Sequence, residues 1–213
     1  MAGHQSFPRG DLVDVSAFDN SEDSDIIIKF GDHRVFAHRI ILRISSPYFK
    51  RTLSSLFSIA KADVYPLDGD DDPEDVLAML RHMYGMRYNQ HPQNRSIFPN
   101  AVEALKGYIR TYHVADKYDC PSLRNSICSL TRSRLHRMVS GNELAWQEVK
   151  FFDLMADLEL RHVFVDWLAD TFYTCMQLQS PKMLIKNGMF LDVQCSTRLL
   201  LKLGEKSISG PSW

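Results

Sequence analysis

Apolar residues fall into short strand-like runs before residue 38 and into helical stripes after it. Ile26-Ile27-Ile28-Lys29-Phe30 and Arg34-Val35-Phe36-Ala37 flank Gly31-Asp32. Two β-branched or aromatic runs around such a turn predict a hairpin. From His38 the spacing becomes helical, with Ile40, Ile41, Ile44 and Tyr48 recurring. Ser46-Pro47 restarts that helix, because Ser caps well and Pro needs no amide hydrogen at the first helical position. Val64-Tyr65-Pro66-Leu67 reads as a third strand, which Pro66 confines to an edge or a strand end. Asp72 then caps a helix with Pro73 first, Glu74 and Asp75 against the dipole, and a stripe of Val76, Leu77, Leu80, Met83 and Tyr84 ending at Gly85.

Residues 86–99 are polar with two prolines and read as a long inserted loop. A helix follows from about Asn100 to Tyr118, carrying Val102, Leu105, Tyr108, Ile109, Tyr112 and Ala115 on one face. Pro121 opens another, with Leu123, Ile127, Leu130, Leu135 and Met138. Ser140-Gly141-Asn142 marks a boundary. Beyond it lie two further stripes, Leu160, Val163, Phe164, Trp167, Leu168 and Cys175, then Leu191, Cys195, Leu199 and Leu203. The expected fold is α/β of the α+β type. A small mixed or antiparallel sheet near the N-terminus is covered by helices over 39–57, 73–84, 100–118 and 121–138, and extra helices follow. The expected division is a flexible arm (1–20), a main domain (21–139), a helical extension (140–204) and a frayed tail (205–213).

Length and composition narrow the class. The 213 residues are 45% hydrophobic and 24% charged, as in a soluble globular protein. A net charge of -1 provides no field to draw nucleic acid or an anionic membrane surface. No run reaches the ~18 apolar residues of a membrane helix, and the first residues lack a signal-peptide core, so an intracellular site, cytoplasm or nucleus, is expected. The four cysteines (120, 128, 175, 195) form no close pair and read as small apolar residues in a reducing compartment. No internal repeat with a period of about 20–50 residues is present.

The string Phe36-Ala37-His38-Arg39, Leu42, Ser46 and Tyr48-Phe49, following a strand hairpin, resembles the opening of the BTB/POZ domain. A second string at the matching distance, Ala115-Asp116-Lys117-Tyr118 with Pro121 and Leu123, resembles the later part of the same domain. With the loop insertion and the helical extension, the layout is similar to small fungal BTB proteins. The resemblance implies a protein-interaction module that is not an enzyme: a self-associating scaffold or adaptor. A substrate adaptor of a cullin-RING ubiquitin ligase and a transcription-related regulator without its own DNA-binding domain are the alternatives. It further implies that Asp25 and Arg39 lie together near a dimer surface, either recruiting partners or orienting the hairpin on the first helix. Ile40 and the apolar residues of 11–18 (Leu12, Val13, Val15, Phe18) would supply the dimer contact. Cullin-binding members carry an apolar-x-Glu motif where this chain has Leu56, Phe57 and Ile59 with no Glu. His38, Tyr48, Phe49 and Tyr118 take structural positions in this scheme.

Other chemistry is weaker. His38 stands alone at a strand-to-helix junction, without a second ligand at metal spacing, and reads as a hydrogen-bonded packing residue. Asp68 to Asp75 resembles a calcium loop but has Pro73 where Gly is needed and Met79 where Glu is needed, so a solvated turn and helix cap is expected. Arg124, Arg132, Arg134 and Arg137 lack interleaved aromatic residues for base stacking and read as a solvated helix face. No nucleophile motif, Walker sequence or dinucleotide fingerprint is present, so no cofactor and no active site are expected.

Overall fold

The computed structural model describes residues 15–54, 61–88, 101–140, 158–176 and 193–208. The chain forms two compact units, one of residues 1–97 with 110–126 and the other of 98–109 with 127–213. Helices α4 (Ala101–Lys117) and α5 (Pro121–Ser140) each contribute to both.

In the first unit, β1 (Ile26–Phe30) pairs antiparallel with β2 (His33–Ala37) and parallel with β3 (Val64–Pro66), giving the order β2-β1-β3. The sheet is therefore mixed. Alternation along β1 buries Ile26, Ile28 and Phe30 while Lys29 faces out. Gly31 turns the hairpin at φ +53, a backbone that other residues adopt at a cost. Pro66 sits on an edge strand, where its missing amide breaks no ladder.

The first helical stretch is shorter than its periodicity predicts. It runs as α1 (Arg39–Ser45) and α2 (Pro47–Thr52), divided at Ser46. Ser46 is extended (φ -143, ψ 120) and ends one helix while capping the next, its side chain accepting from the Phe49 amide. Only Leu42 of α1 is buried; Ile40 and Ile44 are 60% and 70% exposed. Ile41 is half-buried, Ile40 is exposed where the resemblance puts a dimer contact, and Ile44 faces solvent because periodicity marks a face without saying what lies against it.

Helix α3 (Pro73–Met83) starts as expected, with Asp72 Oδ1 accepting from the Glu74 amide. Asp75 does more. It stands in the first turn as expected but is also buried, and it accepts a hydrogen bond from the Thr111 hydroxyl and a 3.3 Å contact from Arg110 Nε. Thr111 spends its single proton on Asp75, so the Tyr88 hydroxyl, 3.0 Å away, donates to Thr111. The acid thus anchors α3 to the later part of α4 and to Tyr88.

In the second unit, α6 (Leu158–Met176) and α7 (Val193–Ile208) face each other. Leu160, Val163, Phe164, Val165, Trp167, Leu168 and Ala169 are all buried, so α6 is covered over more than the single stripe expected. A charge ladder runs beside this apolar contact. Asp166 takes Arg198 at both oxygens (2.9 and 3.1 Å) and Lys202 at 3.1 Å, and Asp170 takes Lys206 at 2.6 Å. Lys206 also donates to the Ala169 carbonyl. These bonds carry α7 to Ile208, past the point where a frayed tail was expected from residue 205. Residues 15–20 likewise depart from a flexible arm: Val15–Ala17 form a 3-10 turn, and Phe18 and Asp19 bond to the domain.

Two stability measurements check these anchors. Burial raises the Asp75 carboxyl above its ordinary range, against the Thr111 hydrogen bond and the Arg110 charge. A raised carboxyl pKa favours the protonated native state, so this contribution is full below the ordinary range and is lost as pH rises through the raised value. Urea unfolding of the natural chain and Asp75→Asn between about pH 3 and 7 should show the natural chain's relative stability falling as pH rises. At Asp166 burial also pushes upward, but hydrogen bonds and charges from Arg198 and Lys202 overcome it and hold the carboxyl low. Its contribution is present above the ordinary range and lost on acidification through the lowered value. Asp166→Asn should cost about 1.5–3 kcal/mol at neutral pH, less in acid, by the same assay.

Candidate protein-interaction surface

The N-terminus of α1 is held by the residue just before β1 and by the residue that ends α3. The helix begins without a side-chain cap from His38. Instead Asp25 Oδ1 accepts the Arg39 amide at 2.7 Å, satisfying one of the donors a helix start leaves open. The Arg39 guanidinium turns to backbone: Nε donates to the Asp25 carbonyl (3.3 Å) and a terminal nitrogen to the Ala62 carbonyl (2.6 Å). Asp25 and Arg39 are thus brought together as the sequence suggests, but each charge meets the other residue's main chain. Asp25 is exposed and Arg39 half-buried, with Ile40 beside them pointing outward.

His38 is fastened in turn by Tyr84. The Tyr84 hydroxyl accepts the His38 amide at 2.9 Å and lies 2.9 Å from His38 Nδ1. The one hydroxyl therefore ties down both the main chain and the ring of His38. Burial pushes the Tyr84 phenol up to about 12, with the Asp25 charge adding to it and the His38 amide opposing, so this donor keeps its proton at neutral pH. Tyr84 was visible in the sequence only as the end of an apolar stripe. Its hydroxyl's partner lies 46 residues away and left no local signal.

Tyr48, Phe49 and Tyr118 form one aromatic cluster. Phe49 stacks on Tyr118 (centroids 6.2 Å, 9°), and Tyr48 meets both edge-on at 5.2 and 5.3 Å. Ser46 Oγ donates to the Tyr118 carbonyl at 2.6 Å. The Tyr118 hydroxyl accepts the Asp68 amide (3.2 Å) and donates to Asp71 (2.7 Å), and Lys117 reaches Asp71 at 2.9 Å and Asp68 at 3.2 Å. Burial first, then the Asp71 bond and charge, hold the Tyr118 phenol well above its ordinary value. The acidic turn expected to be only solvated is therefore clasped by the Lys117-Tyr118 pair. Asp72 beside it is the expected cap.

Leu56, Phe57 and Ile59, the candidate cullin contact, lie outside the described residues, as do Leu12 and Val13. Val15 is 52% exposed, whereas Phe18 is half-buried against Tyr84. Among the described residues no cluster of His, Cys, Asp or Glu is placed to hold a metal ion, and no helix is long and apolar enough to cross a membrane.

The mixed sheet, the helix break at Ser46 and the Tyr118 clasp define a small α+β fold. The chain matches the family model of the BTB/POZ domain over residues 16–135, more than half its length, and it belongs to that family. Domains of this family mediate protein–protein interactions, commonly dimerisation, and are generally not enzymes.

Removing the hydroxyl of fully buried Ser46 leaves the Phe49 amide and the Tyr118 carbonyl each short of a partner. Ser46→Ala should cost about 1–3 kcal/mol of unfolding free energy in urea titration. An unchanged midpoint would show the pair to be replaceable.

Proposed function

We propose that this chain is a self-associating scaffold that pairs through the exposed face of α1. The observation that supports this reading is the placement of Ile40 and Ile44, four residues apart on one helical face, 60% and 70% exposed. Two large apolar side chains on a seven-residue helix are an unusual surface unless something covers them. In a two-fold dimer each patch meets its own copy, so four isoleucines leave water together, each contributing roughly 1.5–3 kcal/mol. Asp25 and Arg39, of opposite charge, are held together at the start of the same helix and border the patch.

A second reading is a cullin-linked adaptor. It draws support from α6 and α7, which continue the chain past the matched domain, where members of this class extend their cullin surface. The missing Glu near Leu56, Phe57 and Ile59 weighs against it.

Light scattering after size exclusion at tens of micromolar should give twice the chain mass. Ile40→Asp should return it to one chain mass with an unchanged circular dichroism spectrum, since a desolvated apolar contact has no place for an unpaired carboxylate. A monomer mass for the natural chain would remove the scaffold reading, and cullin co-purification would then favour the adaptor.

A further inference from the structure

Residues 15–20 form a short strap that reaches the domain through Phe18 and Asp19. Strand β2 lies at an edge of the sheet, and its outward amide at Phe36 donates to Asp19 Oδ1 at 3.0 Å. One residue earlier, the Phe18 ring meets Tyr84 edge-on at 5.3 Å, and the Arg81 guanidinium carbon lies 5.9 Å from its centroid. Burial lowers the Arg81 guanidinium's pKa while the carboxylates of Glu74 and Asp19 oppose it, so Arg81 senses both the ring and the acid of the strap. The three receiving groups have distinct chemistries: a main-chain donor on a strand edge, an aromatic wall and a cation.

The strap is lightly held. Val15, Ser16 and Asp19 are exposed, and Phe18 is half-buried. Asp19 has φ +55, a left-handed backbone that side-chain-bearing residues disfavour, Asp and Asn least. Within the strap the Phe18 amide donates to the Val15 carbonyl, and Asn20 Oδ1 accepts the Glu22 amide.

We propose that the strap is a self-ligand occupying a peptide site at the outer edge of β2, and that this site accepts a partner segment bearing an aromatic residue followed by a carboxylate. The ring of the incoming segment takes the place of Phe18 between Tyr84 and Arg81. Its acid takes the Phe36 amide, and its main chain runs on along β2 towards Arg34, whose amide faces the same edge by the alternation of a strand. Edge addition of this kind draws affinity from main-chain bonds and specificity from alternate side chains. A tethered strap competes at an effective concentration on the order of millimolar, so a partner binds weakly until the strap is displaced or cleared. The inference rests on the protein-interaction reading but not on self-association.

A fluorescently labelled peptide of residues 14–21 (Asp-Val-Ser-Ala-Phe-Asp-Asn-Ser) tests it against the full chain by anisotropy. The chain carrying Phe18→Ala and Asp19→Ala should bind the peptide at least about tenfold more tightly than the natural chain, the factor by which a mostly closed strap taxes a competitor. Replacing the peptide's Phe by Ala or its Asp by Asn should abolish binding. If the double variant does not fold by circular dichroism, Asp19→Asn alone, at an exposed side chain, serves in its place. No binding at millimolar peptide, or equal binding of a scrambled peptide, overturns the proposal. Light scattering on the same samples reads the mass separately. Loss of a dimer with retained peptide binding removes only the scaffold reading, whereas a mass increase without peptide binding assigns the site to a second copy and overturns the peptide partner.

Discussion

Tyr118 is bonded at both ends, and the first unit depends on it. Its carbonyl, at the end of α4 where helical carbonyls lack partners, receives the Ser46 hydroxyl from the α1–α2 break. Its hydroxyl receives the Asp68 amide and donates to Asp71 ahead of α3. Between the two, the ring stacks on Phe49. One side chain and its own carbonyl therefore fix three pieces of chain distant in sequence. Fully buried, the phenol stabilises this arrangement only while both polar ends are satisfied, since an unpaired buried hydroxyl costs more than a made hydrogen bond contributes. The tight corner that follows, with Asp119 at φ +46, brings its carboxylate to Arg51 and Arg124.

A second arrangement of the same kind sets the strand-to-helix corner. His38, Arg39 and Asp25 have polar side chains that meet main-chain amides and carbonyls and the Tyr84 hydroxyl. Main-chain partners are fixed by the sheet and the helix, so these side chains hold one orientation without the cost of burying opposed charges. The result is a short helix whose start is rigidly placed and whose outer face, Ile40 and Ile44, is left open. Rigid presentation of a small apolar face is what a protein-interaction surface requires, because little ordering remains to be done on binding.

The candidate site was legible where its signals are local. The hairpin at Gly31, the caps at Ser46 and Asp72 and the pairing of His38-Arg39 with the opening strand depend on residues within a few positions of one another. What was misjudged shares one cause. Ile44 has the spacing of a core residue, Asp75 carries no local sign that its carboxylate is also buried against a second helix, and Asp68 and Asp71 have the composition of a solvated turn. In each case the deciding partner, or its absence, lies elsewhere: Thr111 for Asp75, and Lys117 and Tyr118 for the turn. Tyr84 and Asp19 were missed as polar anchors because an aromatic at a stripe's end and an acid in a polar arm carry no mark of the amides they bind.

The sequence by itself determined the order and kind of elements, the helix starts, the turn glycine and membership of an α+β interaction fold, because hydrophobic period, capping and backbone restriction act over one to four residues. Only the tertiary structure decided that β3 runs parallel to β1, that α7 continues to Ile208 under the hold of Asp170 and Ala169, and that the segment around Phe18 lies against Arg81 and Tyr84. Those outcomes depend on which distant groups share a low-dielectric space. Such choices are settled by packing and by the cost of unsatisfied polar groups, which no window along the chain contains.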